Sequence, residues 1–299
     1  MPTLEPAAGH AAFRARLALV AAAVCFSTGG AAIKATSLTA FQVAGLRSLI
    51  AAVAVAVLLP GALRGITLRS AAIGAGYAFT LILFVSGNKL TTAANTIFLQ
   101  STAPLWVLLA SPALLGESLR RSDVAFLALA ALGLGCFFVG VEPPRVTAPD
   151  PLTGNVLATA SGVTWALTIM GLRWLGSRAG ARPGEAGGAV VVGNLVAFGL
   201  CLPWTFPLAA TVADWGVLLF LGVFQIGLAY ALMTRGLAGV RALEASLLLL
   251  VEPVLNPVWA FLLHREVPGS WAIAGAVLVI AGTSGRAAAE ALSRRRGAG

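Results

Sequence analysis

The chain has 299 residues, of which 59% are apolar and only 10% charged, and its mean hydropathy is +0.92. A water-facing surface carries roughly 25–35% charged side chains, so 20 basic and 11 acidic residues cannot coat the one or two soluble domains this length would otherwise suggest. Soluble enzymes and nucleic-acid binders are thereby excluded, and the net charge of +9, spread between apolar runs, reads as a topology signal.

An apolar run of about 20 residues crosses the hydrocarbon core as a helix. Ten such runs follow one another, at 14–34, 41–60, 70–88, 91–115, 122–141, 153–174, 187–206, 213–234, 240–263 and 269–287. The first follows Arg14 and Arg16 but has no cleavage box ahead of a soluble chain, so it is expected to be a membrane helix and not a signal peptide. Gly61, Gly65 and Gly74 dilute the second and third runs, which Arg64 and Arg69 separate. The longest polar stretch, EPPRVTAPDP at 142–151, divides the chain in two. The expected organisation is a five-helix repeat over 1–141, an external linker over 142–152, a second repeat over 153–287 and a basic cytoplasmic tail over 288–299.

Cytoplasmic loops retain Lys and Arg. With the N-terminus inside, Lys34, Arg47, Lys89, Arg145 and Arg265 fall outside and the other fifteen basic residues fall inside. This asymmetry predicts a multi-pass protein of the inner (plasma) membrane with both termini cytoplasmic. Five spans is an odd number, so the second half enters the membrane from the opposite side to the first.

The two halves also match in sequence. An offset of 149 residues pairs Gly87 with Gly236, Pro104 with Pro253, Glu117 with Glu266 and Gly133 with Gly282, and an offset of 139 pairs Lys34 with Arg173. Inverted repeats are typical of secondary transporters, in which two near-equivalent halves expose one central site to either side in turn.

Pro104 followed by Gly116-Glu117, and its counterpart LLVEPVLNPVWAFLLHRE at 249–266 ahead of a helix with Gly275 and Gly282, resemble the EamA-type drug/metabolite transporter superfamily. Length and Trp content look similar to its YddG-type exporters of aromatic amino acids. The resemblance implies an all-α integral membrane fold: ten helices in two inverted five-helix repeats, a basket-like bundle in which helices 1 to 4 and 6 to 9 surround a central cavity and helices 5 and 10 lie outside. It also implies export of amino acids or related metabolites by alternating access, with a vitamin, nucleoside or drug carrier as the alternative within the superfamily and a membrane enzyme or channel as the alternative outside it.

Several residues stand out within the spans. Glu252 lies about 12 residues into the ninth run, where a carboxylate is costly unless it faces a wet cavity, and it shares a polar stripe with Glu244 and Asn256. It is expected to hold a substrate ammonium, to act as a protonatable switch, or to cap backbone groups freed by the neighbouring prolines. Pro104, Pro253 and Pro257 each remove a helix hydrogen bond and are the candidate hinges, with Pro112 beside them. Tyr77 and Thr80, Thr96 and Gln100, and Ser161, Thr164 and Thr168 each form a polar strip on an apolar helix. Gln225 and Tyr230 are five residues apart and do not share a face cleanly at helical spacing.

Trp174, Trp204, Trp215 and Trp271 fall near span ends, as interface-belt residues do. Trp165, next to Thr164, is the preferred stacking surface for an apolar substrate. The expected substrate contacts are therefore Tyr77, Thr80, Gln100, Thr164, Trp165, Gln225, Tyr230, Glu252 and Asn256. Cys25, Cys136 and Cys201 lack metal or disulfide spacing, and His10 and His264 are too few for a histidine metal site. A phosphate-cradling GxxxxGKS/T motif is absent, as is a nucleophile–base pair. The expectation is a non-enzymatic carrier with no cofactor and no metal, requiring no ATPase subunit and binding no nucleic acid, with a small-molecule substrate and the lipid bilayer as partners.

Overall fold

The computed structural model describes residues 5–115, 121–177, 180–237 and 248–296. The first run divides at Thr28 into α1 (Glu5–Ser27) and α2 (Gly29–Lys34). Next come α3 (Ala40–Leu58) and α4 (Leu68–Leu90), each opened by a reciprocal cap. Thr39 accepts from the Gln42 backbone N–H while the Gln42 side chain accepts from Thr39 N–H, and Thr67 and Ser70 repeat the arrangement. Such boxes satisfy two of the four orphan amides at a helix start, which matters where no water is at hand.

The fourth run divides at Ser101–Thr102 into α5 (Ala93–Gln100) and α6 (Ala103–Leu115). Then follow α7 (Arg121–Val139), α8 (Pro151–Ser177) and α9 (Glu185–Cys201). The eighth run is α10 (Val212–Leu219), a π-helical segment (Phe220–Leu228) and α11 (Ala229–Leu237). The start of the ninth run, with Glu244, lies outside the described residues, as does Glu117; its second part is α12 (Val251–His264), and α13 (Ser270–Arg296) follows. Among the described residues no strand occurs, only an isolated bridge between Arg145 and Ala148.

Seven helical stretches are long and apolar enough to cross a membrane, and Asp123–Val139 and Ser270–Gly282 are shorter apolar helices. Together with the ninth run they make an all-helical ten-crossing membrane protein.

The packing order forms a closed circuit. α1 packs on α11, the π segment on α3, α3 on α9, α9 on α4, α4 on α8, α8 on α5, α5 on α12, and α12 on α1. Replacing each crossing by the one five places along the chain maps this circuit onto itself, as an inverted repeat requires. α7 packs chiefly against α13, so this pair stands outside the ring of eight. Large apolar side chains such as Val57, Leu132 and Val277 lie exposed on the periphery, suited to lipid contact.

Close approach within the ring depends on small residues, as is usual where lipid removes the hydrophobic drive for helix association. A Cβ built on Gly193 in α9 would lie 2.6 Å from Tyr77 Cδ1, and one on Gly74 in α4 would lie 2.5 Å from the Ala189 carbonyl oxygen. Glycine at both positions lets α4 and α9 touch backbone to backbone and seats the Tyr77 ring.

The fourth and ninth runs are interrupted next to their prolines, as expected of residues that each remove a helix hydrogen bond, and one expectation is corrected. Pro104 and Pro253 each lie just after a break. Pro104 is the second residue of α6 and Pro253 the third of α12, and the breaks precede them, at Ser101–Thr102 and Leu250. A first-turn proline gives up an amide that has no intrahelical acceptor anyway, so these residues start helices. Pro257 alone of the three stands inside a helix.

The correction concerns Arg47, which is not an outer-loop charge. α3 begins at Ala40, so Arg47 lies about two turns into the membrane, fully enclosed at 2% exposure.

Candidate functional site

At the centre of the ring, α4, α8 and α11 bring together an aromatic cluster. The Tyr77 and Tyr230 rings meet edge-on at 6.0 Å, Trp165 lies tilted at 6.1 Å from Tyr77, and Phe26 of α1 meets Tyr230 edge-on at 5.4 Å. Tyr77 and Tyr230 are buried and Trp165 is half-buried. Members of both repeats contribute, so the cluster lies on the interface between them. Edge-to-face aromatic pairs prefer ring separations of about 4.5–7 Å, which these satisfy.

Polar groups border the cluster. The Arg47 Nη1 donates to Gln225 Oε1 at 3.4 Å and its Nη2 to the Leu81 carbonyl at 3.5 Å. Gln225 is buried in the π-helical segment against the start of α2, where a Cβ on Gly29 would come within 2.9 Å of its Nε2. The i→i+5 bonding of a π-helix widens the turn. It thereby resolves the five-residue spacing of Gln225 and Tyr230, since both sit beside Arg47.

Glu252, half-buried in the first turn of α12, lies within electrostatic reach of Tyr230. Among the described residues it accepts no hydrogen bond from the chain.

The other expected contacts divide in two. Thr80 meets Thr168 at 3.5 Å and Gln100 donates to Ser161 Oγ at 3.4 Å, both ties across ring neighbours. Thr164 donates back to the Ala160 and Ser161 carbonyls of its own helix. Asn256 is wholly buried and donates to the Ser27 carbonyl at 3.1 Å, while Trp259 Nε1 donates to Ser27 Oγ at 2.9 Å. These two brace the break between α1 and α2, where a carbonyl freed from its helix needs a donor. Trp106 does the same for the other break, donating to Thr102 Oγ1 at 3.0 Å.

One end of the ring is cross-linked by charged groups. Lys34 forms an ion pair with Glu266 at 3.1 Å and donates to the Thr91 carbonyl at 2.8 Å and to the Thr147 carbonyl. Glu266 accepts from Ala93 N–H at 2.9 Å, Lys89 donates to the Thr36 carbonyl at 2.8 Å, and a His264 ring nitrogen meets the Ala31 carbonyl at 2.8 Å. Asp214 accepts from both the amide and the hydroxyl of Ser37, each at 2.9 Å.

Lys34, Lys89 and Glu266 are thus structural as well as topological, and Arg47 belongs to the central site. The signal for Arg47 was present in the sequence: a lone charge well inside an apolar run is a functional candidate by default. The Lys34–Glu266 pairing had none, because its partners are more than two hundred residues apart.

A ring of eight crossings related by an inverted repeat, with a polar and aromatic site at its centre, defines a membrane carrier of the two-repeat helical class. The EamA-like transporter family matches this chain twice, over residues 14–139 and 152–285, and the chain belongs to that family and so to the drug/metabolite transporter superfamily. Members of this family are membrane transporters. No curated protein matches. Among the 26 solved chains that match, one described only as the crystal structure of a protein is 22% identical over 90% of this chain and 96% of its own, with a TM-score of 0.59; it shares the fold.

Proposed function

We propose that this protein is a secondary transporter of the plasma membrane that exports apolar or aromatic amino acids, or related small metabolites, by alternating access. The observation that carries this reading is the Tyr77–Trp165–Tyr230 cluster at the interface of the two repeats, with Glu252 beside it. Apolar walls with a few convergent polar groups are what small-molecule sites are made of. The carboxylate suits a substrate ammonium and the rings suit an apolar side chain.

Orientation follows from charge. With Arg47 inside the membrane and Lys34 and Lys89 drawn into buried ties, Arg145 and Arg265 remain as the loop charges of the Lys34 end. That end is therefore exterior, both termini are cytoplasmic, and the buried ties around Lys34 close the exterior side of the site.

The test is uptake by purified protein in liposomes over the standard amino acids, with and without a pH gradient. Saturable movement of phenylalanine, tyrosine or leucine above empty liposomes is the expected result. No movement of any amino acid in either condition overturns the proposal, and dependence on the gradient decides between proton coupling and facilitated diffusion.

A further inference from the structure

We propose that Arg47 is the carboxylate-binding residue of this carrier, so that a carboxylate, more than an ammonium or a given side chain, is the feature its substrates must share. The inference rests on the exporter reading above and narrows it to anionic or amphoteric carboxylates.

Arginine keeps its charge in proteins and offers five N–H donors and no acceptor. Here that charge sits about two turns into a membrane helix at 2% exposure. Burying an unpaired ion in low dielectric costs several kcal/mol even after relaxation, so an arginine in this place is expected to face a counter-ion. Among the described residues no carboxylate is within ion-pair distance of it; its charged and titratable neighbours are Tyr77, Tyr230 and Cys201.

Its two contacts, to Gln225 at 3.4 Å and the Leu81 carbonyl at 3.5 Å, are both at the long limit of a hydrogen bond, and Nε has no partner among the described residues. A guanidinium that is buried, loosely held by neutral acceptors and has a free donor is equipped to receive a bidentate carboxylate. The surroundings fit. The Tyr77 and Tyr230 hydroxyls interact with each other and with the guanidinium, which leaves one phenol proton to share an anion with it.

Tyr230 is also within electrostatic reach of Glu252. Arg47 and Glu252, a base and an acid, thus share one phenol as neighbour and come from opposite repeats. A substrate lying along Tyr230 would hold its carboxylate toward Arg47 and, where it has one, its ammonium toward Glu252, with its side chain against Tyr77 and Trp165. Neutral nucleosides and cationic drugs lack the group that Arg47 recognises.

The experiment compares four matched probes in proteoliposomes: phenylalanine, phenylalaninamide, phenethylamine and 3-phenylpropanoate. Wild type should carry the two acids, and Arg47→Gln should lower the acid-to-amide flux ratio by at least roughly tenfold, the size expected for a lost charge-assisted pair. Arg47→Lys keeps a point charge but not the planar fork, so its ratio should fall by an intermediate amount. It also serves if the Gln variant does not fold.

An arginine that merely ties α3 to the π-helical segment would depress all four probes alike, so an unchanged ratio in the folded variants overturns the assignment while leaving the exporter reading intact. Wild type that carries the amide and amine but neither acid also overturns it. Wild type that carries none of the four overturns the exporter reading and this inference together.

Discussion

Lys34 and Glu266 form a 3.1 Å ion pair with side chains only 3% and 2% exposed, one from the end of the first crossing and the other from the turn after the ninth. The pair joins the first repeat to the second at the Lys34 end of the ring. Removing one partner leaves a buried, uncompensated charge, a change worth about 3–5 kcal/mol in comparable sites. Lys34→Met should therefore lower the unfolding temperature in detergent and expose cysteines placed near Thr92 to aqueous thiol reagents. The double change Lys34→Met with Glu266→Leu removes both charges and should recover most of the stability. A single variant with wild-type melting and labelling would show that the pair holds nothing closed.

Glu252 has no hydrogen-bond partner among the described residues and lies within electrostatic reach of Tyr230. Glu252→Gln should raise the half-saturating concentration of amine-bearing substrates by roughly tenfold, the scale of one charged hydrogen bond, and leave 3-phenylpropanoate nearly unaffected. A variant that loses expression and all transport to the same degree points instead to a structural carboxylate.

Trp165 leans on Tyr77 at 6.1 Å and is only half-buried. Trp165→Ala removes part of an apolar wall, so phenylalanine uptake should fall by more than alanine uptake, with a gap of about 1–2 kcal/mol in transport specificity. Equal loss across side-chain sizes would remove Trp165 from the site.

The prolines separate by position. Pro104→Ala and Pro253→Ala act at helix starts, where no intrahelical acceptor awaits the restored amide, and should change stability by less than about 1 kcal/mol. Pro257 lies within α12, and Pro257→Ala restores one internal hydrogen bond, adding about 1 kcal/mol while slowing exchange. Thermal unfolding and counterflow rates measured on the three variants check the contrast; slowed exchange in Pro104→Ala with wild-type rates in Pro257→Ala would reverse the assignment of the hinge.

Orientation is open to labelling in a background without Cys25, Cys136 and Cys201. Val146 is fully exposed in the linker and Arg182 is exposed at the opposite end. Val146→Cys should react with an impermeant reagent on intact cells and Arg182→Cys only after permeabilisation. The opposite pattern would invert the exporter's assignment of inside and outside.

What the sequence determined by itself were properties local to the chain. Hydropathy over about 20 residues is set by the bilayer's thickness, and it gave the membrane class and the ten crossings. The spaced recurrence of Pro104 and Pro253 pointed to the repeat and, through it, to the family. Tyr77, Trp165, Gln225, Tyr230 and Glu252 were visible as polar or aromatic residues in apolar runs, because such residues are costly in lipid.

Only the tertiary structure decided which of them meet. Arg47 joins Gln225 and the Lys34 ammonium finds Glu266 through the order of helices around the ring, and no periodicity within a helix encodes that order. The spacing of Gln225 and Tyr230 was misleading because a helical wheel assumes 3.6 residues per turn, and the π-helical segment Phe220–Leu228 departs from it. The prolines likewise needed three dimensions: the sequence marks that a run is interrupted near each proline, and the structure places the breaks at Ser101–Thr102 and Leu250.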